Sequence, residues 1–202
     1  MKILGLTGPS GAGKGAACAI FEAFGIPSID TDAVYHRLLE EGGSIKDELC
    51  ATFGQDILDE HGKIDRKKLG AAVFGKENTP SLLHTLNTIT HKYVMARVHD
   101  MMQAIRQNGA IAVLIDAPLL FEAGIEKECD AVIGVLADRE TRLCRITKRD
   151  HITKKAAQMR IDAQKSDDFY REACQYILEN NNDHAALEAQ IRRLLKELGL
   201  EV

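Results

Sequence analysis

Apolar and polar positions alternate along the chain in a way that predicts an α/β fold. Residues 2–7 are predicted to form a short apolar strand, and the unbroken apolar runs at residues 111–115 and 131–137 are typical of strands buried on both faces of a sheet. Between them, apolar residues recur at helical spacing, as in residues 14–24 and in a terminal segment that follows Asp183. Because strands alternate with helices, the pattern predicts three layers, with helices on both faces of a parallel sheet.

A long helical block interrupts this alternation. Helices are predicted over residues 33–41, from Ser44, over residues 65–74 and from Thr79. Ser44, with an acidic residue three positions later, resembles the start of a capping box. We interpret the block as a substrate-binding insertion within a single domain, and a later polar stretch as a small lid. The predicted core comprises residues 1–32 and 109–202, the insertion residues 33–108 and the lid residues 148–171.

The first predicted strand runs into a glycine-rich turn. Residues 8–14 match the G-x-x-x-x-G-K core of a Walker A loop, and they lie between a strand and a helix, as its chemistry requires. In such a loop, backbone N–H groups surround the β-phosphate of ATP, and the lysine places a positive charge on the β- and γ-phosphates. A ligand-free glycine turn is the alternative, which the combination of strand, spacing, lysine and helix disfavours. The predicted ATP-binding residues are Gly8, Gly11, Ala12, Gly13, Lys14, Gly15 and Ala16, together with Arg149 from outside the loop.

One position departs from the Walker A pattern. The residue after the lysine is ordinarily Ser or Thr, whose hydroxyl binds Mg²⁺, whereas here it is Gly15. Three interpretations stay open. A water replaces the hydroxyl in the metal shell, since Mg²⁺ usually keeps several waters; Thr7 or Ser10 supplies the oxygen; or the protein binds nucleotide and turns over slowly.

Composition narrows the class of partner. The chain has 202 residues, 45% of them hydrophobic and 28% charged, with a net charge of −4, so it carries no basic excess for nucleic acid or an anionic membrane. The sequence contains no apolar run of the ~20 residues that span a bilayer, and its start does not resemble a signal peptide. Its five cysteines are scattered, which favours free thiols in a reducing compartment. We expect a cytoplasmic monomer or weak homo-oligomer with a small-molecule substrate.

The length suits a P-loop kinase with a helical insertion, and the absence of an Asn-Lys-x-Asp motif argues against a GTPase. The sequence resembles the dephospho-CoA kinase family in segments that occur in order over most of the chain. These segments are Gly5-Leu6-Thr7-Gly8, Ile29-Asp30-Thr31-Asp32, Phe53-Gly54, Gly62-Lys63-Ile64-Asp65-Arg66 with Leu69, Leu86-Asn87 with Ile89-Thr90-His91, Asp116-Ala117-Pro118-Leu119-Leu120-Phe121-Glu122, Lys148-Arg149-Asp150, Arg160 with Gln164, and Ile177 with Asn180. Departures from the family pattern are Gly15, Lys92 in place of a proline, the stretch 165–175, and the residue after Asn180, which is not glycine.

The resemblance implies a P-loop NTPase fold and a reaction. With Mg²⁺, the γ-phosphoryl group of ATP would pass to the ribose 3′-hydroxyl of dephospho-CoA, giving CoA and ADP in the last step of coenzyme A biosynthesis. Two alternatives stay open. One is another small-molecule kinase, acting on a nucleoside or nucleotide; the other is a nucleotide-binding homologue whose catalysis is weak because of Gly15.

The resemblance also assigns catalytic roles. Asp32, after the second strand, would receive the proton of the attacking hydroxyl, although it also suits the N-cap of the next helix. Lys14 and a lid arginine would stabilise the transferring phosphoryl group, and we choose Arg149 for the lid, with Arg160 second. Arg142 and Arg145 share the helix face of Arg149, and we expect both to lie on the surface. The predicted catalytic residues are Asp32, Lys14 and Arg149.

The remaining assignments each have an ordinary structural alternative. Asp116 ends a strand and would order a metal-bound water, or it is a turn residue before a proline. His91 would contact substrate, or it is a surface or packing histidine. Leu119 and Phe121, with Leu120 between them, would line the substrate cleft, or they pack in the core.

Overall fold

A parallel sheet of five strands forms the centre of the fold in the computed structural model, which describes residues 1–74 and 79–200. The strands are β1 (Lys2–Thr7), β2 (Ser28–Asp30), β3 (Ala112–Asp116), β4 (Ala131–Leu136) and β5 (Tyr176–Glu179). They lie in the order β2-β3-β1-β4-β5, and every neighbouring pair is parallel. The predicted α/β class with a parallel sheet is therefore confirmed.

Helices connect the strands and form the block between β2 and β3. They are α1 (Lys14–Ala23), α2 (Thr31–Glu41), α3 (Ser44–Phe53), α4 (Arg66–Val73), α5 (Thr79–Gln107), α6 (Arg139–Asp150), α7 (Lys154–Asp162), α8 (Asp167–Ala173) and α9 (His184–Glu197). In the part of the chain that the structure describes, none of these helices combines the length and the apolar character needed to cross a membrane.

Two compact units share the chain. The first comprises residues 1–30 and 104–202 and contains the whole sheet. Its main apolar core joins strand residues such as Leu6 and Ile133 to Phe21 of α1 and Ile191 of α9, each at most 2% exposed. Truncating one such leucine or isoleucine to alanine would destabilise the fold by about 2–5 kcal/mol. The continuous apolar runs of β3 and β4 are buried on both sides, as predicted.

The second unit comprises residues 31–103 and is helical. Its buried side chains include Ile45 and Leu49 of α3 and Leu69 and Val73 of α4. On its surface, the carboxylate of Glu48 accepts hydrogen bonds from α5, among them one from the Tyr93 hydroxyl at 2.7 Å. The helical spacing seen in the sequence is therefore used to bury one face of each helix.

Register places the carboxyl ends of the central strands at one edge of the first unit. Leu6 of β1 pairs with Asp116 of β3, Asp116 pairs with Asp30 of β2, and Thr7 pairs with Gly134 of β4. The chain leaves β1 towards β2 on one side, and β4 lies on the other side. Open parallel sheets bind ligands outside the carboxyl ends of their strands at such a point.

Two predicted helix starts differ from the structure. Ser44 is the first residue of α3 and not its cap, because Gly43 takes the N-cap position with a φ of 69° that favours glycine. Asp32 is the second residue of α2, which begins at Thr31, so the N-cap interpretation of Asp32 is wrong. By contrast, the Asp183 carboxylate caps α9 by accepting from the Ala186 N–H at 2.9 Å.

Candidate active site

Glycine is required at three positions of the loop between β1 and α1. Gly8, Gly11 and Gly13 have φ values of 143°, 79° and 100°, which L side chains rarely adopt. Space is lacking as well, since a Cβ at Gly8 would lie 2.3 Å from the Val135 carbonyl oxygen, and one at Gly13 would lie 2.0 Å from Asn180 Nδ2. The loop therefore owes its conformation to these glycines.

Backbone N–H groups of the loop divide into two sets. The Ala12 N–H donates to the Pro9 carbonyl at 3.1 Å, and the Ala16 N–H donates to the Gly13 carbonyl at 3.0 Å, so both are engaged within the loop. Within residues 1–74 and 79–200, no acceptor is found for the N–H groups of Gly11, Gly13, Lys14 and Gly15. These four amides, at the N-terminus of α1, are the ones suited to a phosphate.

The prediction that Arg142 lies on the surface is wrong. Arg142 is 4% exposed, and its Nε donates to the Ser10 carbonyl oxygen at 3.1 Å. Burial lowers the pKa of its guanidinium, and the carboxylate of Asp167, 3.2 Å away, opposes that shift. Helix spacing had identified the face that carries the arginines, but that face lies on the glycine loop and not in solvent.

Arg145 and Asn180 hold the next part of the loop. Arg145, only partly exposed, donates to the Gly11 and Ala12 carbonyls at 3.3 and 3.1 Å and to the Asn180 carbonyl at 3.0 Å, so its predicted surface position is also wrong. The Asn180 side-chain Nδ2 donates to the Ala12 carbonyl at 2.8 Å. Because a trans peptide places its C=O and N–H on opposite sides, these bonds turn the Gly13 N–H the other way.

Arg149 reaches the loop from the end of α6. Its guanidinium is largely exposed, donates to Ser10 Oγ at 3.2 Å and pairs with the neighbouring Asp150 at 2.7 Å. Arg160 of α7 pairs with the same carboxylate. The hydrogen bond from Arg149 lowers the pKa of Asp150 to about 2, with a further contribution from Arg160. Asp150 therefore brings both predicted lid arginines together.

Lys14 and Asp116 face each other at the carboxyl end of the sheet. Lys14 Nζ lies 4.0 Å from Asp116 Oδ1, and both side chains are about 15% exposed. The Cys18 thiol, one turn further along α1, donates to Asp116 Oδ2 at 3.6 Å. Burial, and then the Asp116 charge, raises the pKa of Cys18 to about 12. The ammonium group therefore has a carboxylate partner close to the loop.

Both hydroxyls considered as substitutes for the missing Walker A hydroxyl are poorly placed for a cation. Ser10 Oγ accepts a hydrogen bond from Arg149. Thr7 Oγ1 has no partner among the described residues, but Thr7 is 0% exposed, so a cation from solvent cannot reach it without movement of the loop. A Cβ added at Gly15 would meet no heavy atom within 4 Å, so there is open space for a hydroxyl at that position.

The segment after β3 supplies one exposed and one aromatic side chain. Leu119 is 53% exposed, whereas Leu120 is fully buried, so core packing accounts for Leu120 and not for Leu119. Phe121 packs edge-to-face on Phe169 of α8 with ring centroids 5.4 Å apart. Lys165 Nζ lies 4.3 Å from the centre of the Phe169 ring. Phe121 is therefore held in place by a residue from the poorly matched stretch 165–175.

Two predicted site residues belong to the helical unit. Asp32 is exposed near the start of α2, two residues beyond the end of β2. His91 lies in α5 and is half-buried, and burial lowers its pKa below the ordinary histidine value. The roles predicted for these two side chains stay predictions.

Sequence analysis missed three residues that shape the loop. Arg142, Arg145 and Asn180 contact loop carbonyls but were given no role in binding nucleotide. For the two arginines a sequence signal exists, because they recur with Arg149 at helical spacing on the helix that follows β4. A glycine loop with a lysine at the start of α1, at the carboxyl edge of a parallel sheet, is the phosphate-binding arrangement of P-loop proteins, and an arginine at the loop is typical of the kinases among them.

Comparison with known proteins gives the family within that class. The chain belongs to the dephospho-CoA kinase family, since the sequence profile described as dephospho-CoA kinase matches residues 2–196. A dephospho-CoA kinase from Lactobacillus johnsonii is 36% identical over 196 residues, which cover 97% of this chain and 98% of that protein.

Solved structures agree with this assignment. TT1252 from Thermus thermophilus has a TM-score of 0.82 and 28% sequence identity, covering 98% of this chain and 97% of that one. Dephospho-CoA kinase from Campylobacter jejuni has a TM-score of 0.69 and 27% identity, covering 98% of both chains. The family resemblance noted in the sequence is therefore confirmed.

Proposed function

We propose that this protein transfers the γ-phosphoryl group of ATP to the ribose 3′-hydroxyl of dephospho-CoA, giving CoA and ADP. The observation that carries the proposal is the family match over residues 2–196, which spans the glycine loop and the rest of the predicted site. The Lactobacillus johnsonii relative is itself a dephospho-CoA kinase. The reaction completes coenzyme A biosynthesis, and we propose the cytoplasm as its location and a monomer or weak homo-oligomer as the acting form.

ATP binds through the loop between β1 and α1. The free N–H groups of Gly11, Gly13, Lys14 and Gly15 donate to phosphate oxygens, and the partial positive charge at the start of α1 adds to their attraction. The Lys14 ammonium moves between Asp116, its present neighbour 4.0 Å away, and the β- and γ-phosphates. Gly8 makes the turn into the loop, while Ala12 and Ala16 line it with N–H groups that donate to the Pro9 and Gly13 carbonyls and not to phosphate.

Arg149 closes the site in this proposal. It already donates to Ser10 Oγ, so its guanidinium lies at the loop that binds the triphosphate in this proposal. A cation there stabilises the charge on the transferring phosphoryl group and is worth about 10³-fold or more in rate. The lid comprises residues 148–171, in which Asp150 steadies Arg149 and Arg160.

Asp32 receives the proton of the attacking hydroxyl. The ribose 3′-oxygen forms a bond to the γ-phosphorus, the bond to the bridging oxygen breaks, and ADP leaves with that electron pair. A carboxylate oxygen can accept the proton that the attacking hydroxyl releases. His91, Leu119 and Phe121 contact dephospho-CoA, and the exposed apolar surface of Leu119 suits the uncharged part of that substrate.

The donor set fits a Mg²⁺ ion that is held mainly by phosphate and water. In the described part of the chain, no three His, Cys, Asp or Glu side chains are arranged as a metal site. Gly15 offers no side-chain oxygen, and the Asp116 carboxylate lies 4.0 Å from Lys14 Nζ. We propose that Asp116 would accept a hydrogen bond from a water of a bound Mg²⁺, whose chemistry would be to offset negative charge on the phosphates.

Coupled detection of ADP release tests the proposal. The protein is assayed with ATP, Mg²⁺ and either dephospho-CoA or a panel of nucleosides and nucleotides, with Lys14→Ala as the inactive reference. We expect turnover with dephospho-CoA at least about 10²-fold above that of the panel, the discrimination available when a site must bury matched polar groups. Faster turnover of a nucleoside would identify a different small-molecule kinase.

ATP binding without turnover of any acceptor would favour the other alternative. In that case the protein is a nucleotide-binding homologue with weak catalysis, and Gly15 is the specific reason to consider it. Thermal stabilisation by ATP, measured in the same preparation, separates a folded protein that binds ATP without catalysis from a preparation that has lost ATP binding.

A further inference from the structure

A buried arginine of α6 joins three separate elements of the first unit. The Arg142 side chain is 5% exposed, and its guanidinium donates to Ser10 of the loop at 3.1 Å, to Gln164 Oε1 at 3.1 Å and to Asp167 Oδ1 at 3.2 Å. Gln164 lies between α7 and α8, and Asp167 begins α8. A buried cation is costly unless its donors are satisfied, and here all three nitrogens have acceptors.

The Gln164 oxygen is shared between Arg142 and the loop. It also accepts from the Ser10 N–H at 3.1 Å, so Gln164 holds the N–H of Ser10 while Arg142 holds its carbonyl. The carbonyl of Ser10 and the N–H of Gly11 belong to one planar trans peptide and point in opposite directions. Fixing the carbonyl towards Arg142 therefore turns the Gly11 N–H away from α6.

Packing against α6 also restricts this peptide. A Cβ at Gly11 would lie 2.9 Å from the Arg142 carbonyl oxygen and 3.0 Å from Arg142 Cα, so the helix backbone lies directly against the loop here. The Ser10–Gly11 peptide is thus confined by α6 on one side and by the hydrogen bond from Arg142 to its carbonyl, and the preceding peptide is held by the bond from the Ser10 N–H to Gln164. A peptide held in this way needs no reorganisation when a phosphate arrives.

We infer that Arg142 is a positioning residue for ATP. It orients the Ser10–Gly11 peptide so that the Gly11 N–H can donate to a phosphate. Because Arg142 and the Ser10 N–H both bond Gln164, the affinity for nucleotide also depends on the connection between α7 and α8. This inference rests on the proposed function in one respect, that the ligand of the loop is ATP. Arg142 touches no reacting atom, and its effect concerns nucleotide and not dephospho-CoA.

Loss of these bonds should weaken nucleotide binding by a measurable factor. A hydrogen bond to a charged group contributes enough to change a dissociation constant about 10-fold or more. Arg142→Lys keeps the positive charge, but a single nitrogen cannot serve three acceptors in a fork. Gln164→Leu keeps similar volume and removes the shared oxygen. Both are expected to raise the Kd for ADP and the KM for ATP about 10-fold, with the KM for dephospho-CoA changed less than about 2-fold.

Arg139→Lys is the matched control. Arg139 lies on the same helix, is 53% exposed and pairs with Asp162 of α7, and among the described residues it has no bond to the loop. We expect its ADP affinity to equal that of the wild type. Thermal unfolding of each variant shows that the protein compared is folded, and calorimetric titration with ADP gives the affinity.

Hydrogen exchange adds a readout that a purely structural role would not change. In the wild type, ADP should slow exchange in peptides that cover residues 163–167, because Gln164 accepts from the Ser10 N–H and Asp167 accepts from Arg142. In Gln164→Leu that ADP-dependent protection should be lost. Wild-type ADP affinity in folded Arg142→Lys, or an equal rise in both KM values, would overturn the inference alone. A wild-type protein that binds no ADP would overturn the proposed function as well.

Discussion

Substitution of Gly15 by serine tests how this site manages without the usual Walker A hydroxyl. Gly15 is the second residue of α1, has no heavy atom within 4 Å of the position a Cβ would take, and is not among the glycines with positive φ. A serine side chain therefore fits without displacing a neighbour. Its hydroxyl would occupy the place from which Ser or Thr binds Mg²⁺ in other P-loop proteins.

Two effects of Gly15→Ser can be separated by size and by a control. Gly is less favourable than Ala in a helix by up to about 1 kcal/mol. Replacing Gly15 should therefore raise the Tm of a domain of this length by roughly 2–4 °C through the helix alone. Gly15→Ala gives this helix effect without an oxygen. If one protein oxygen in place of water gains about 1 kcal/mol, the scale of a net hydrogen bond, half-saturating Mg²⁺ falls about 5-fold in Gly15→Ser alone.

The assay is a Mg²⁺ titration of coupled ADP release at saturating ATP and dephospho-CoA. Wild type and Gly15→Ala should superimpose, and Gly15→Ser should reach half-maximal rate at lower Mg²⁺. Identical curves for all three proteins would refute the reasoning, because another group would then already fill that coordination position. Equal shifts in the alanine and serine variants would refute it too, by tracing the change to the helix.

Three other predictions follow from the site, two for substitutions and one for the reactivity of a thiol. Asp32→Asn should lower kcat about 10²-fold or more, the scale of general-base catalysis, while ADP affinity by calorimetry stays within about 2-fold. Gly13→Ala should weaken ADP binding by more than about 10-fold, because its Cβ would lie 2.0 Å from Asn180 Nδ2 at a φ of 100°. Cys18, whose pKa burial and Asp116 raise to about 12, stays protonated at about pH 8 and should be alkylated far more slowly than the exposed Cys144, as mass spectrometry of peptides would show.

Each of these expectations has a control and an outcome against it. Asp30→Asn removes a nearby exposed carboxylate and should leave kcat unchanged; a matching loss there would point to charge and not to Asp32. Gly25→Ala shares the positive φ, at 78°, but meets no heavy atom, so an equal loss of ADP affinity would count against the clash. Alkylation of Cys18 as fast as that of Cys144 would contradict the raised pKa of the Cys18 thiol.

The residue pattern was enough to predict the strands and the glycine loop, because these features depend on neighbouring residues in the sequence. The apolar runs of β3 and β4 could lie only inside a sheet, and the Walker A spacing specified a turn that glycine alone allows at Gly8 and Gly13. The order of the strands brings distant residues together, so no local pattern contains it. Register then sets Asp116 beside the start of the loop, which the sequence only suggested.

The arginines of α6 show why the rest of the site was not predictable. A charged residue at helical spacing ordinarily faces solvent, and Arg142 is buried only because Asp167 and Gln164, more than 20 residues later, supply acceptors. Asp32 illustrates a smaller limit. A cap and a first-turn residue differ by one or two positions, and the sequence pattern does not resolve that difference.

Identification of the phosphorylated product tests the proposed reaction most directly. The protein is incubated with ATP, Mg²⁺ and dephospho-CoA, and the products are resolved by mass spectrometry and phosphorus NMR. We expect CoA carrying the new phosphate on the ribose 3′-oxygen, formed in an amount equal to ADP. ADP formed without CoA, or a phosphate on any other oxygen, would contradict the proposed function.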